Sequence, residues 1–472
     1  MMTRYKWPVL AALSVTVMVS SCVTKKYERP NLSAQTDKLY RDTTISDTTS
    51  IATLPIEQLF SDVELQNLIK EGLQNNLDLK TAMQRINEAY ATVQQTKAAF
   101  FPSLSGNAQV TRTKTSLASL NFPPEFASSF VLTTTTSQLG LSTSWEADIW
   151  GKLSSSKRSA LANFFASDAG KRAVQTQLIA NIANNYYALL ALDKQLAITE
   201  QTLKNRINDV ETMKALKESA IVNGAAVVQS EANRYAAEVT IPDLKRSIRE
   251  TENALSILLA RTPGSIHRGT LDEQKPYTDM QIGVASQLLK NRPDVQQAEF
   301  AFRASFENTN MARTYFYPAL TITAQGGVSS LKIKNLFDNS IFYNIIGGLT
   351  QPIFAKGENK ARLRTAKAQQ EEAYYAFQQS ILTAGSEVSN ALYAYQTAVE
   401  KQTSRTHQLE ALQKAVDYTK ELLRYSSATN YTDVLTSEQS LLSAQLSGVN
   451  DKLQQLQAVV NLYRSLGGGW KQ

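Results

Sequence analysis

The chain is written twice, and that repetition limits what it can fold into more than any other feature. Asn75-Asn-Leu-Asp-Leu79 followed by Phe100-Phe-Pro-Ser-Leu104 recurs as Asn291-Arg-Pro-Asp-Val295 followed by Phe316-Tyr-Pro-Ala-Leu320. Each matched position of the second copy lies 216 residues after its partner (291 against 75, 318 against 102), so no gap intervenes. A later pair, Ile182-Ala-Asn-Asn-Tyr-Tyr-Ala188 and Val388-Ser-Asn-Ala-Leu-Tyr-Ala394, is offset by 206 (388 against 182). Units of this length exceed any solenoid repeat, so half of the protein has been duplicated whole. The second copy is about ten residues shorter between the two matches.

Residues 1–21 carry Arg4 and Lys6, then an apolar stretch from Val9 to Val19, and end before Cys22. A basic start, a short apolar run and small residues make an export signal rather than a membrane span. Cys22 is the only cysteine of 472 residues, so no internal disulfide is possible. The segment resembles a bacterial lipobox, in which Cys22 becomes the acylated first residue; the other reading is a small buried hydrophobe. Val23 follows with no acidic residue, which points to the outer membrane. Without Arg4 and Lys6 the mature chain has 47 basic against 42 acidic residues. Spread over this length, that balance excludes a nucleic-acid footprint. Residues 30–55 are rich in Ser, Thr and Asp and read as a tether or surface-wrapping arm.

Two periodicities follow. Leu104, Gly106, Ala108 and Val110 alternate with Ser105, Asn107, Gln109 and Thr111, the period of a strand with one apolar and one wet face. The pattern returns at Leu139, Leu141, Trp145, Ala147 and Ile149, again at Leu320, Ile322, Ala324 and Val328, and more weakly from Ile341 to Ile353. Strands are expected at about 103–113, 137–149, 319–330 and 341–353. Each has roughly the ten residues of a tilted membrane-spanning strand. Aromatics cluster at the ends, among them Phe100, Phe101, Trp145, Trp150, Tyr315 and Phe354. Alternation alone also fits a small soluble antiparallel sheet. Pro102, Trp150, Gly151, Pro318 and Pro352 stand where strand patterns meet helical ones and are expected to form the junctions.

The remainder is helical. No proline interrupts Ser155 to Val222, and Ile182, Leu189, Leu196, Leu203 and Val210 fall seven apart. From Leu442 the apolar positions Leu446, Val449, Leu453, Leu456, Val460 and Tyr463 alternate spacings of four and three, a coiled-coil seam. A helix over 155–222 reaches about 100 Å, wider than any compact domain, so an elongated molecule is expected. Gly224 and the stretch Ala428-Thr-Asn430 mark the far turns of two helical hairpins. The layout is therefore a signal peptide (1–21), an acylated arm (22–60), a first repeat (61–263), a connector (264–283) and a second repeat (284–472).

Four strands cannot close a barrel, and open edges in lipid leave backbone amides and carbonyls unsatisfied. Two copies would give an eight-stranded barrel filled by side chains; three give twelve strands and a water-filled lumen, so a cyclic homotrimer is expected. The fold class is a mixed α and β membrane protein, a trimeric 12-stranded outer-membrane barrel continuous with a helical periplasmic barrel.

Cys22 after a signal, the duplicated Phe-Phe-Pro-Ser-Leu element, Ser144-Trp-Glu-Ala-Asp-Ile-Trp-Gly-Lys152, Ile241-Pro-Asp-Leu244, Asn253-Ala-Leu255 and Leu462-Tyr-Arg-Ser-Leu-Gly-Gly-Gly-Trp470 together resemble the outer-membrane factor family of TolC-like channels. The likeness spans roughly 55–470 and is to the lipoprotein branch paired with resistance-nodulation-division efflux pumps. It implies a passive exit duct, a trimer, a periplasmic adaptor (membrane fusion) protein and, through it, an inner-membrane pump. By position it implies that Asn223, Gly224, Arg424, Tyr425, Ser426 and Ser427 form the tips offered to the adaptor. It also makes Asp433 a candidate for a carboxylate ring at the aperture; the other reading of Asp433 is a helix-start carboxylate. Relatives usually carry glycine where this chain has Ala428.

Only His267 and His407 exist, and with one cysteine no zinc-ligand spacing arises. No phosphate-cradling glycine loop is present. No catalysis, metal site, cofactor or nucleic-acid partner is expected. The alternatives are a duct for a type I protein secretion system and, from another class, a non-conducting coiled-coil envelope scaffold lipoprotein. The substrate, be it drug, detergent, metal or peptide, is not encoded.

Overall fold

The computed structural model describes residues 23–31, 39–40, 49–119, 132–425 and 431–471. Cys22, Ser426, Ser427, Ala428 and Asn430 lie outside them. The elements repeat as the sequence does. Helices α1 (Val63–Asn75) and α2 (Leu77–Ala98) lead into strands β1 (Ser103–Lys114) and β2 (Thr133–Ala147), then α3 (Lys152–Glu218) and α4 (Gly224–Leu258). The second half has a helical turn at Leu288–Asn291, α5 (Pro293–Thr314), β3 (Ala319–Ser330), β4 (Ile341–Thr350), α6 (Glu358–Tyr425) and α7 (Tyr431–Ser465). The copies agree closely in length. Helices α2 and α5 have 22 residues each, α4 and α7 have 35 each, and α3 and α6 have 67 and 68. From Ala98 to Lys152 is 54 positions and from Thr314 to Glu358 is 44, so the ten-residue deficit lies wholly in the strand hairpin.

The strand bounds differ from the alternation mainly at three places, both ends of β2 and the end of β4. β2 begins at Thr133, because Thr133–Thr136 is uniformly polar and shows no period although its backbone pairs with β1. It stops at Ala147, since Asp148 turns to cap α3. β4 ends at Thr350 rather than 353: Pro352 has no N–H to give to a ladder.

Two compact units form. The first contains residues 87–165 and 299–375 with the described part of 1–29. Its centre is one antiparallel sheet in the order β1-β2-β3-β4. Along α5, the extended segment 23–29 is held by paired bonds between Lys25 and Asn310, by Arg29 to Glu299 at 2.6 Å, and by Tyr27 edge-on to Phe302 and Phe306.

The second unit contains residues 30–86, 166–298 and 376–472. Its core gathers Leu65 and Ile69 of α1, Ile179, Ile182, Tyr186, Leu189 and Leu190 of α3, Leu255 of α4, Phe377 and Val388 of α6, and Val460, Leu462 and Tyr463 of α7. Asp62 knots this core: its carboxylate caps α1 at Glu64 N (2.9 Å) and accepts from Tyr186 Oη (2.6 Å) and Gln274 Nε2 (2.7 Å). The expected wrapping arm is only partly one. Ile51, Ala52, Ile56, Leu59 and Phe60 are buried, and Ser50 pairs with Ile282, so the few apolar side chains of this stretch belong to the core. At the C-terminus Gly467 (φ +83°) ends α7, and Trp470 Nε1 donates to Asn291 O at 2.8 Å. No helix among the described residues is long and apolar enough to cross a membrane.

Candidate functional site

Three places carry the expected residues: the sheet, its junction with the helices, and the far ends of the helices. In the sheet the register aligns the alternating patterns of four strands. Ser105, Ser142, Gln325 and Asn344 make one continuous cross-strand row, flanked by Ser103, Ser144 and Thr323 and by Gln109, Gln138 and Ser329. On the opposite face Ala108, Leu139, Val328 and Ile341 make a row, and Leu104, Leu141, Trp145, Ile322, Tyr343, Ile345 and Leu349 fill the same side. The sheet is thus wet on one face and apolar on the other, and the apolar face is bare: Ile341 is 86% and Tyr343 83% exposed. β1 and β4 are edges, each with one side lacking a ladder partner among the described residues. β2 and β3 meet closely at Gly140 and Gly327, where a Cβ on either would press on the other strand's backbone.

At the junction Trp145 Nε1 donates to Phe100 O at 2.9 Å, and the equivalent Gln351 Nε2 donates to Phe316 O at 3.3 Å. Trp150 Nε1 donates to Pro318 O at 2.8 Å, its ring 4.9 Å from that of Tyr317. Asp148 supplies the start signal of α3, accepting from Leu153 N at 2.8 Å and Ser154 N at 2.9 Å. Gly151 (φ +74°) makes the left-handed step into α3, and Gly357 (φ +83°), 206 residues on, makes the same step into α6. The alternation pointed to Pro102 and Pro352; both are exposed and flank the strands, and Gly357 is the junction residue it missed. The repeat offset would have found it.

At the far end Asn223 caps α4, its side chain accepting from Ala226 N at 3.1 Å, and Gly224 is the first helical residue. The left-handed residue that closes α3 is Ala220 (φ +59°), with Ile221 N bonded to Leu216 O, so the turn that Gly224 marked is made four residues earlier. Tyr425, at the end of α6, is 84% exposed. Arg424 closes the same helical turn. Asp433 is exposed in the first turn of α7. Behind these residues Met213, Val227, Tyr431 and Val434 form a small apolar cluster, and Tyr431 Oη bonds Ser230 Oγ at 2.8 Å.

Next to that cluster is a buried charge group that sequence reading missed. Arg206 pairs with Glu438 and lies 3.7 Å from Asp209, while Lys420 Nζ is 2.6 Å from Glu438. Burial, reinforced by the Glu438 charge, pushes the Asp209 carboxyl up to about 6 against the pull of Lys420 and Arg206. Charged residues on a heptad helix ordinarily read as solvent-facing, so nothing distinguished Arg206 before α7 was placed beside it. Among the described residues no group of three or more His, Cys, Asp or Glu is placed to hold a metal ion.

Comparison with known proteins agrees with this geometry. The family described as outer membrane efflux protein matches residues 68–261 and 284–468. The "Probable outer membrane lipoprotein SilC" of Salmonella typhimurium is 28% identical, covering 98% of both chains. The "Probable efflux pump outer membrane protein TtgC" of Pseudomonas putida is 29% identical over 88% of this chain and 84% of its own. The open-state MtrE outer membrane channel of Neisseria gonorrhoeae superposes with a TM-score of 0.80 at 26% identity, covering 95% of this chain and 98% of that one.

Proposed function

Because this chain belongs to the outer membrane efflux protein family, we propose that it is the passive outer-membrane exit duct of a tripartite efflux pump, working as a homotrimer with a periplasmic adaptor and an inner-membrane pump. The observation that carries the reading is the sheet: four strands of membrane length, one face mostly apolar and bare, the other mostly Ser, Thr, Asn and Gln with Glu146 its one charge, and both edges without a ladder partner among the described residues. In lipid those edges demand partners, and pairing β4 of one copy with β1 of the next satisfies them. Three copies close twelve strands around the Ser, Thr, Asn and Gln face, which then lines a watery lumen. Such a wall selects weakly, so the pump decides what is exported. The duct performs no catalysis; work comes from the pump.

The anchor fits the same frame. Cys22 precedes Val23, which is buried, and Thr24, which lies against Gly151 at the strand-to-helix junction. An acyl chain on Cys22 would therefore start at the periplasmic rim of the barrel. Asn223, Gly224, Arg424, Tyr425, Ser426 and Ser427 offer the adaptor its contact, and Asp433 rings the aperture, where three carboxylates favour cations.

The test uses the full mature chain. A cysteine pair, one on β1 and one on β4 of the same chain, should cross-link between copies into covalent dimers and trimers, since these two strands are not neighbours within one chain. The purified assembly should conduct in planar bilayers; a monomer without cross-links or conductance would defeat the proposal.

A further inference from the structure

The apolar face of the sheet ends abruptly in charge. Along β1 the residues on that face run Leu104, Gly106, Ala108, Val110, and the next two are Arg112 and Lys114. Their cross-strand partners on β2 are Thr135 and Thr133, and Val110 stands opposite Ser137. Ser137 pairs in turn with Ser330, the last residue of β3, so Arg112 lies two positions beyond the end of the β3 ladder. There the β3–β4 connection carries Lys332 and Lys334 among the exposed side chains of Leu331, Ile333 and Phe337, with Asp338 its one carboxylate. Arg112 and Lys114 are exposed, and neither side chain forms an ion pair or hydrogen bond among the described residues. β4, which the proposed assembly brings to the other side of β1, has no charged residue at all.

A cation on the lipid-facing side of a barrel strand is tolerated near the interface and costly at the bilayer midplane. Two in succession, about 7 Å apart along one strand, call for an anion at that depth. The end of the sheet in question is the one away from the helices, so in the proposed orientation it meets the outer leaflet. We infer that Arg112 and Lys114, with Lys332 and Lys334 on the neighbouring hairpin, form a binding site for the phosphorylated headgroup of an outer-leaflet lipid. Arg112 supplies the planar fork that suits a phosphate, Lys114 a point charge, and Leu331, Ile333 and Phe337 the apolar contact for the acyl chains.

The inference rests on the proposed duct and its orientation, and the experiment separates the two. The full-length assembly is placed in nanodiscs of phosphatidylcholine doped with diphosphorylated lipid A, or with the same lipid enzymatically dephosphorylated, and retained lipid is counted by native mass spectrometry. Wild type should retain the phosphorylated form, and Arg112→Gln with Lys114→Gln should lower retention on the order of tenfold or more. Lys356→Gln with Lys360→Gln, at the other end of the sheet, should leave it unchanged. Equal retention of the two lipids, or of the phosphorylated lipid by wild type and the Arg112/Lys114 variant, overturns the site, as does loss on adding excess inorganic phosphate without any lipid preference. Conductance measured on the same samples reports on the duct itself: conducting assemblies without phosphate preference sink the lipid site alone.

Discussion

Asn76 donates its side-chain amide to the main-chain carbonyl of Leu258, 2.9 Å away and 182 positions further along the chain. Leu258 is the last residue of α4, whose final carbonyls have no partner within the helix. In the second repeat Arg292, 216 residues after Asn76, does the same through Nη1 to Ser465 O at 3.0 Å, and Ser465 is the last residue of α7. Each repeat is thus closed by one buried side chain that ties its opening helices to the end of its returning hairpin. The arginine version carries a charge, and Asp294 (2.5 Å) and Glu387 (2.7 Å) neutralise it.

Replacing Arg292 with alanine is accordingly expected to cost about 3–5 kcal/mol, because two carboxylates and a helix-end carbonyl lose their partner together. Asn76→Ala, which removes a neutral bond, should cost nearer 1–3 kcal/mol. The ranking can be read from thermal unfolding of the detergent-solubilised assembly; an Asn76 variant weaker than the Arg292 variant would contradict it.

Between pH 4 and 7 the far ends of the helices should loosen as pH rises. The folded-state Asp209 carboxyl titrates near 6, above its ordinary 3.8, so the folded form holds a proton that the unfolded form has lost. The stabilisation is complete below about 4 and disappears as pH passes 6. Amide protection factors, corrected for the intrinsic base-catalysed exchange rate, should be lower at pH 7 than at pH 5 across residues 206–216 and 431–438 in wild type. Asp209→Asn should erase most of that difference; a variant that keeps it in full would show that another group is responsible.

Gly327→Val should split β2 from β3. Any Cβ at that position meets the backbone of Leu139 and Gly140, and overpacking of this kind costs about 1–3 kcal/mol or more. Gly347→Ala has nothing within 4 Å of the added carbon in the protomer and should stay within about 0.5 kcal/mol of wild type. Yield of heat-resistant assembly on semi-native gels would compare them.

Cys22→Ser should abolish acylation, visible as loss of labelled palmitate from the mature protein. Label persisting in the variant would place the anchor elsewhere.

The duplication, the number of strands and the run of each long helix were legible because each rests on local periodicity: alternation in Leu104–Thr111, heptads in Ile182–Val210, proline-free length in α3. Gly151 could be named for the same reason, standing between two periods. The charge group of Arg206, Asp209, Lys420 and Glu438 could not, since its members come from three helices, the α3 pair more than two hundred positions before Lys420 of α6 and Glu438 of α7, and look like surface charges until packed. Ala220 escaped for a subtler reason: a left-handed alanine carries no residue-type signal, whereas Gly224 nearby does.

What the chain alone determined is which faces are apolar, because side-chain order sets the period of two or 3.6 whatever surrounds it. What only the tertiary structure decided is which faces meet. The register that lines up Ser105, Ser142, Gln325 and Asn344, and the pairing of Arg206 with Glu438, depend on backbone hydrogen bonds and desolvation between distant segments, and no window of sequence contains those energies.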